Sequence, residues 1–533
     1  MRERITYLLH DPRNFQLDQL KISKNALEVR NLKAAKEHQL TVGLNDLPTE
    51  IRDVLTQSHE IHIRWASAKP YESIAPFSSR VAPGLHVFFT PLRDNSARHL
   101  CPLLQDLFDE QLKCKSPQKS FTPLSPPSPR FSTSSSHQYH ALVPDLSSFL
   151  TYINAKVCSN PSANSSSLCS LSLPSLRSVS FLDINYDAIS HALVINAYWA
   201  GGPEKGVWNE VQEKQRSDDT LEIGVLNNEQ ATEKEELKLG GFLTVLGEHD
   251  EPKQTLFSFP SRHHPLSPLT SHYTFSFPSP TGLHPHAHIT LPHSALTPPS
   301  PHRCSLHTYL TLPSAIFLDR YQFSDPLFLT SLNLKSLRHI SGATDLEAPD
   351  YVVDEWGSAA LFEIDVPNSK SKAGGSSGKS ESKREGDFVV DIPLHLRYLT
   401  PTNSTTSGSP QGTVSLDIPH PILFWACVAE DGTKMSSSPF DRVNLGYDSL
   451  FGDRTYFYHL SPAGAISSGA KPAVGRLVET IHVPVLDLSH PLAHWIEWGT
   501  VMVVVLGAGW IMGRLWDVVG GGSAREEGSK KEN

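Results

Sequence analysis

Apolar positions in this chain fall mostly in short runs of strand character. Residues 60–68, EIHIRWASA, and 84–92, GLHVFFTPL, are rich in β-branched and aromatic side chains and predict strands. Residues 96–113 break the pattern. There Leu100, Leu103, Leu104, Leu107 and Phe108 recur at helical spacing and form one apolar face, with Pro102 in the first turn. Residues 178–200 alternate twice and predict two paired strands. Six further runs follow: residues 304–313, 315–323, 358–366, 387–399, 412–418 and 421–429. Many short strands separated by turn residues predict a mainly β protein, β-sandwich-like rather than built on a parallel sheet, with few helices.

Polar stretches divide these runs. Residues 1–113 read as a mixed α/β N-terminal region and 114–139 as a Ser/Pro linker too polar to pack. Residues 140–260 read as a β-rich region carrying a charged loop at 204–238, which has little apolar content to fold around. Residues 261–490 form a second β domain, interrupted by disordered insertions at 368–386 and 402–412.

Near the C-terminus the alternation stops. Residues 498–513 carry no charge and are dominated by Val, Leu, Ile and Met, bracketed by Glu497 and Arg514. With Trp495, Trp498 and Trp516 near its ends, the stretch 495–516 predicts a transmembrane helix followed by a tail at 517–533. The twenty residues before Trp498 contain no Lys or Arg, whereas Arg514, Arg525, Lys530 and Lys531 follow it. Positive-inside counting therefore puts the tail in the cytosol and the N-terminal bulk in the lumen. The last four residues, KKEN, place Lys530 and Lys531 where a dilysine retrieval signal of the endoplasmic reticulum stands, which also needs a cytosolic tail. Asn164 and Asn403 head N-glycosylation sequons, whereas the proline after Asn160 excludes that site. The opening MRERITYLLHDPRNFQ lacks the apolar core of a signal peptide, so import would use the C-terminal segment.

Composition narrows the function. A net charge of −10 with no basic block argues against nucleic acid as a partner. The six cysteines include no CxxC, so neither a zinc ribbon nor a thioredoxin-like centre is signalled; Cys304 with Cys427 is the disulfide to test first. HPHAHIT sets His284, His286 and His288 at every second position, with His293, Cys304 and His307 downstream. Zinc could use one face of such a strand, but no carboxylate or fourth ligand stands at a matching spacing. A literal G-x-S-x-G at residues 374–378 lies in a polar linker with no strand before it, so it cannot form a nucleophile elbow. No phosphate-binding loop and no catalytic constellation emerges.

Four stretches carry a resemblance: LPSAIFLDRYQF (312–323), DLEAPDYV (345–352), IPLHLRYLTP (392–401) and PILFWAC (421–427), followed by one membrane span. Together with the opening MRERITYLLHDP, they resemble PIG-X and its larger fungal counterparts of the Pbn type. The resemblance implies a non-catalytic, stabilising subunit of glycosylphosphatidylinositol mannosyltransferase I, the enzyme that adds the first mannose to the anchor precursor. It further implies a polytopic PIG-M-type catalytic partner, a role in the stability of other proteins of the endoplasmic reticulum, a lumenal glycosylated body and no cofactor. KKEN is not part of that pattern. Gly509 and Gly513 form a G-x-x-x-G on one face of the span, suited to close helix packing. The competing readings are a general lumenal chaperone with many clients and a metal-dependent hydrolase using the His run.

Overall fold

The computed structural model describes residues 2–521 apart from 94–97, 125–136, 159–174, 204–205, 215–218, 232, 234–235, 249–251, 280, 301–302, 347, 368–386, 403–411, 431–437, 439, 441–444, 466–474 and 490. Asn164, Asn403, Lys530, Lys531, the 374–378 motif, the 368–386 insertion and most of 402–412 fall outside the described residues. The chain forms two units: Met1–Arg397 with Asp417–Ile481, and Tyr398–Leu416 with His482–Asn533.

The larger unit is mainly β, as the alternation predicts. Its main sheet runs Lys253–Pro260, Glu236–Val245, Thr220–Glu229, Arg2–Leu9, Ala26–Gly43, Ala192–Trp199, Phe181–Asp187, Ser58–Ala66, Gly84–Pro91, His137–Ala141 and Thr122–Pro123. Arg2–Leu9 pairs parallel with Thr220–Glu229 and antiparallel with Ala26–Gly43. A six-stranded sheet follows the order His263–Pro265, Thr455–His459, Ile422–Val428, Cys304–Pro313, Gly357–Ile364 and Leu334–Gly342. A four-stranded sheet joins Phe388–Pro393, His286–Leu291, His272–Ser276 and Ser461–Pro462.

One core joins the regions that composition separates. It takes Ile5, Ile63 and Val87 from the main sheet, Leu104 from helix Leu100–Leu107, and Tyr309, Trp356, Phe424 and Phe457 from the C-terminal half. Each fully buried Leu or Ile contributes roughly 1.5–3 kcal/mol. The other face of the main sheet carries a second cluster that includes Leu8, Phe181, Tyr198 and Phe440. Burial on both faces explains near-continuous apolar runs such as ITYLL.

Three predicted features differ from the structure. The charged loop at 204–238 contains strand Val207–Glu213, strand Thr220–Glu229 and the start of Glu236–Val245. Of its charges, Glu210 is partnered at long range by Lys36 and Glu222 by Arg2, and Leu221, Ile223 and Val225 fill the core. The linker at 114–139 is not uniformly unpacked: Pro117–Ser120 is helical, Phe121 and Leu124 are buried, and Thr122 pairs with Gln138 in the sheet. A disulfide joining Cys101 to Cys114 anchors the start of that segment. The run 315–323 supplies only the two-residue strand Ile316–Phe317 before turning into the 3-10 helix Gln322–Ser324.

Cys304 and Cys427 face each other across neighbouring antiparallel strands with Cα atoms 4.0 Å apart, and they form the disulfide singled out from the sequence. None of the described cysteines is free.

Candidate functional site

The smaller unit carries helix Pro491–Gly521, whose segment Leu492–Val519 is long and apolar enough to cross a membrane, with mean hydropathy 1.5. At 1.5 Å rise per residue a 28-residue segment is roughly 42 Å long, enough for a hydrocarbon core of about 30 Å with turns to spare at each end. The helix thus extends beyond the predicted 495–516 on both sides. The approach to it is pinned by main-chain bonds: Thr402 N donates to Leu486 O at 3.1 Å, and Leu488 N to Thr402 O at 2.8 Å. A Cβ added at Gly499, Gly507, Gly509 or Gly513 meets nothing within 4 Å.

In the larger unit, three of the motif stretches converge on Arg397. The Ile392–Pro393 end of one strand and the short His395–Leu396 pairing with Ile316–Phe317 deliver it there. Its side chain is buried. Nε donates to Ser314 O at 3.1 Å, while Nη1 donates to Ala348 O at 2.6 Å and also to Asp345 O. Nη2 reaches Ala343 O at 3.3 Å. The guanidinium lies 4.3 Å from the centre of the Phe317 ring, a cation–π contact. Burial lowers the Arg397 pKa, and Asp345 and Asp350 oppose that shift.

One planar, five-donor group therefore organises DLEAPDYV by its carbonyl oxygens, a geometry lysine does not reproduce. Ser314 Oγ donates to Asp350 at 2.5 Å, Lys113 reaches the same carboxylate at 3.0 Å, and Lys115 pairs with Asp354 at 2.5 Å. Trp356 closes the loop, its indole donating to Gln138 O at 2.9 Å and its backbone N to Ser120 O at 3.0 Å. No spacing rule connects these residues; the quoted motifs mark Ser314, Phe317, Asp345, Asp350 and Arg397, but not Lys113, Lys115, Gln138, Asp354 or Trp356.

The His run divides between different partners. His286 Nδ1 lies 3.0 Å from Asp391, His288 Nε2 lies 3.4 Å from the same carboxylate, and His284 Nδ1 lies 3.1 Å from His395 Nδ1. Downstream, Cys304 is committed to its disulfide, and His307 is buried against Ser305 Oγ at 2.8 Å. Among the described residues no group of three or more His, Cys, Asp or Glu is placed to hold a metal ion. A cleft of about 660 Å³ is lined in part by Ser305, Lys335, Glu363 and Asp365. Glu363 there is held by Lys335 at 2.6 Å and Arg338 at 2.8 Å, so its charge serves ion pairs.

These features define a class: a disulfide-stapled β body joined to one membrane-spanning helix. Residues 280–516 match the family model PIG-X / PBN1. The chain is 43% identical to protein pbn1 of Aspergillus oryzae, over 97% of this chain and 96% of that protein. It is 45% identical to protein pbn1 of Aspergillus fumigatus, over 97% and 95%, and 40% identical to protein pbn1 of Neurospora crassa, over 97% and 96%. The chain belongs to the PIG-X/PBN1 family. That membership supports a role related to glycosylphosphatidylinositol anchors.

Proposed function

We propose that this protein is the non-catalytic, stabilising subunit of the endoplasmic reticulum mannosyltransferase that adds the first mannose to the glycosylphosphatidylinositol precursor. Its body is lumenal, its tail cytosolic, and its partner a polytopic PIG-M-type catalytic subunit. Near-full-length identity of 43% to a PBN1 protein carries the reading. Further support comes from the disulfides, which persist in oxidising compartments such as this lumen. The cationic flank after the helix supports the same orientation. Asn164 and Asn403 are the glycosylation sites in this reading, and Lys530 and Lys531 the retrieval signal.

Detergent extraction of the tagged full-length chain followed by quantitative proteomics tests the assignment. One stoichiometric polytopic partner with mannosyltransferase activity is expected. A broad set of sub-stoichiometric clients would replace it with a general chaperone role. Topology has its own check: glycosidase treatment should increase gel mobility, and Asn164→Gln with Asn403→Gln should abolish the change. A body digested by protease outside sealed microsomes would refute the lumenal placement.

A further inference from the structure

We infer that the segment leading into the membrane helix, residues 485–488, is a strap that lies on the bilayer surface, with Leu486 and Leu488 seated among the lipids. The placement involves only this chain and a membrane, so it stands apart from the proposed function. Leu486 and Leu488 are exposed, at 37% and 41%, while Val485 and Asp487 are half-buried. Two aliphatic side chains therefore share one outer side.

An unrestrained segment could turn both leucines inward, but this one is tied down. Val485 N donates to Gly412 O at 2.9 Å, Thr402 N to Leu486 O at 3.1 Å, and Leu488 N to Thr402 O at 2.8 Å. Asp487 accepts from Ser489 N at 2.9 Å and from its hydroxyl at 2.6 Å, which fixes the turn towards the helix. The main chain is satisfied and the leucines are held outward.

Continuity with the membrane-spanning helix selects lipid as the occupant. Glu497 and Arg514 bracket sixteen uncharged residues, roughly 24 Å of helix, which is less than a hydrocarbon core of about 30 Å. So short a run draws its flanks into the membrane surface. Glu497 then stands at the hydrocarbon edge, and Leu492, five residues earlier, is roughly 8 Å further out, in the headgroup layer. Leu488 is only four residues from Leu492, at most about 14 Å of chain. Between them and the core, Trp495 and Ile496 are exposed, at 77% and 52%, and indole rings favour this layer. The strap thus extends an apolar surface that the helix has already brought to the headgroups.

Charge selects the kind of lipid. Residues 482–497 contain Asp487 and Glu497 and no Lys or Arg, so the strap gains nothing from an anionic headgroup. Its contact is apolar, at the boundary of headgroups and acyl chains, and a zwitterionic phosphatidylcholine bilayer supplies that.

The test places the full-length chain in phosphatidylcholine nanodiscs with a nitroxide on Leu486→Cys or Leu488→Cys. None of the described cysteines is free, and unlabelled wild type controls for background. Collisions with oxygen, which partitions into lipid, are compared with collisions with a water-soluble nickel chelate. Val504→Cys, inside the span, sets the lipid end of the scale, and free label in buffer sets the aqueous end. At both leucine positions oxygen collisions are expected to outnumber chelate collisions, by less than at Val504. Added salt or anionic lipid should leave the ratio unchanged. A melting temperature equal to wild type shows that the labelled variants are folded. Chelate collisions in excess at both positions would put the strap in water and overturn the inference. Low collision rates with both reagents would overturn it too, since protein rather than lipid would then cover the leucines. A ratio that shifts strongly with salt would replace apolar seating with attraction between charges.

Discussion

Lys36 lies almost wholly inside the protein, its ammonium 4.7 Å from the Trp208 ring, 5.5 Å from Trp199 and 5.7 Å from Tyr7. Glu210 accepts from it at 2.7 Å and from the Tyr7 hydroxyl at 2.6 Å. Burial lowers the lysine's pKa and Glu210 opposes that shift. Removing one member of such a pair strands the other charge. We expect Glu210→Ala to cost about 3–5 kcal/mol in chemical denaturation, and Lys36→Met with Glu210→Leu to cost less than the single change. Backbone space sets a second constraint. Gly357 has φ of 151°, and a Cβ there would lie 2.1 Å from Leu312 O. Gly357→Ala should therefore destabilise by more than about 1 kcal/mol, read in the same assay. Neither residue advertised itself. Glu210 sits 174 positions from Lys36, in a stretch whose charges read as solvated until the fold supplies their partners.

The elements were more legible than their partners. Strands Ser58–Ala66, Gly84–Pro91, Cys304–Pro313 and Ile422–Val428 follow runs of β-branched and aromatic residues, and helix Leu100–Leu107 follows a spacing of three and four. Strand Thr220–Glu229 is hidden in the sequence although Leu221, Ile223 and Val225 alternate, because the stretches flanking it are densely charged. The motif cluster was legible only as separate stretches, since Arg397 unites them through main-chain oxygens that no side-chain pattern encodes. Two predictions belong at this scale. Replacing Cys304 and Cys427 by Ser opens a bridge spanning 123 positions and should cost about 2–5 kcal/mol, seen as a lower melting temperature without added reductant. In the membrane helix, Gly509→Leu with Gly513→Leu meets no steric bar from this chain. It should nevertheless lower co-purification of the catalytic subunit, and unchanged recovery would remove the helix from the interface.

At the scale of the molecule, buried histidines make the fold sensitive to acid. Burial holds His140, His264 and His307 at about 4 and His459 at about 3, and it pushes His86 and His263 well below the ordinary value. The unfolded chain takes up these protons near pH 6.5, so their contribution to stability is complete above that pH and is lost as pH falls towards 4. Each group adds up to about 1.4 kcal/mol per pH unit across its window. His62 opposes the trend: burial pushes its pKa down, but Glu60, Asn185 and Asp183 together raise it. A melting temperature that falls steeply from pH 7 to pH 5 is the expected outcome; a flat profile would contradict it.

The placement of Arg2–Leu9 between Ala26–Gly43 and Thr220–Glu229 has a temporal consequence. One flank of that opening strand finds its mate within a few tens of residues, whereas the other must wait for more than two hundred further residues to be synthesised. Closing so distant a pairing is slow, and until then an unsatisfied hydrogen-bonding edge stands open to other chains. Nascent fragments ending before residue 220 should stay sensitive to protease along their whole length. Resistance should set in only after Thr220–Glu229 has emerged, so the strand that is made first is among the last of its neighbours to be closed on both sides.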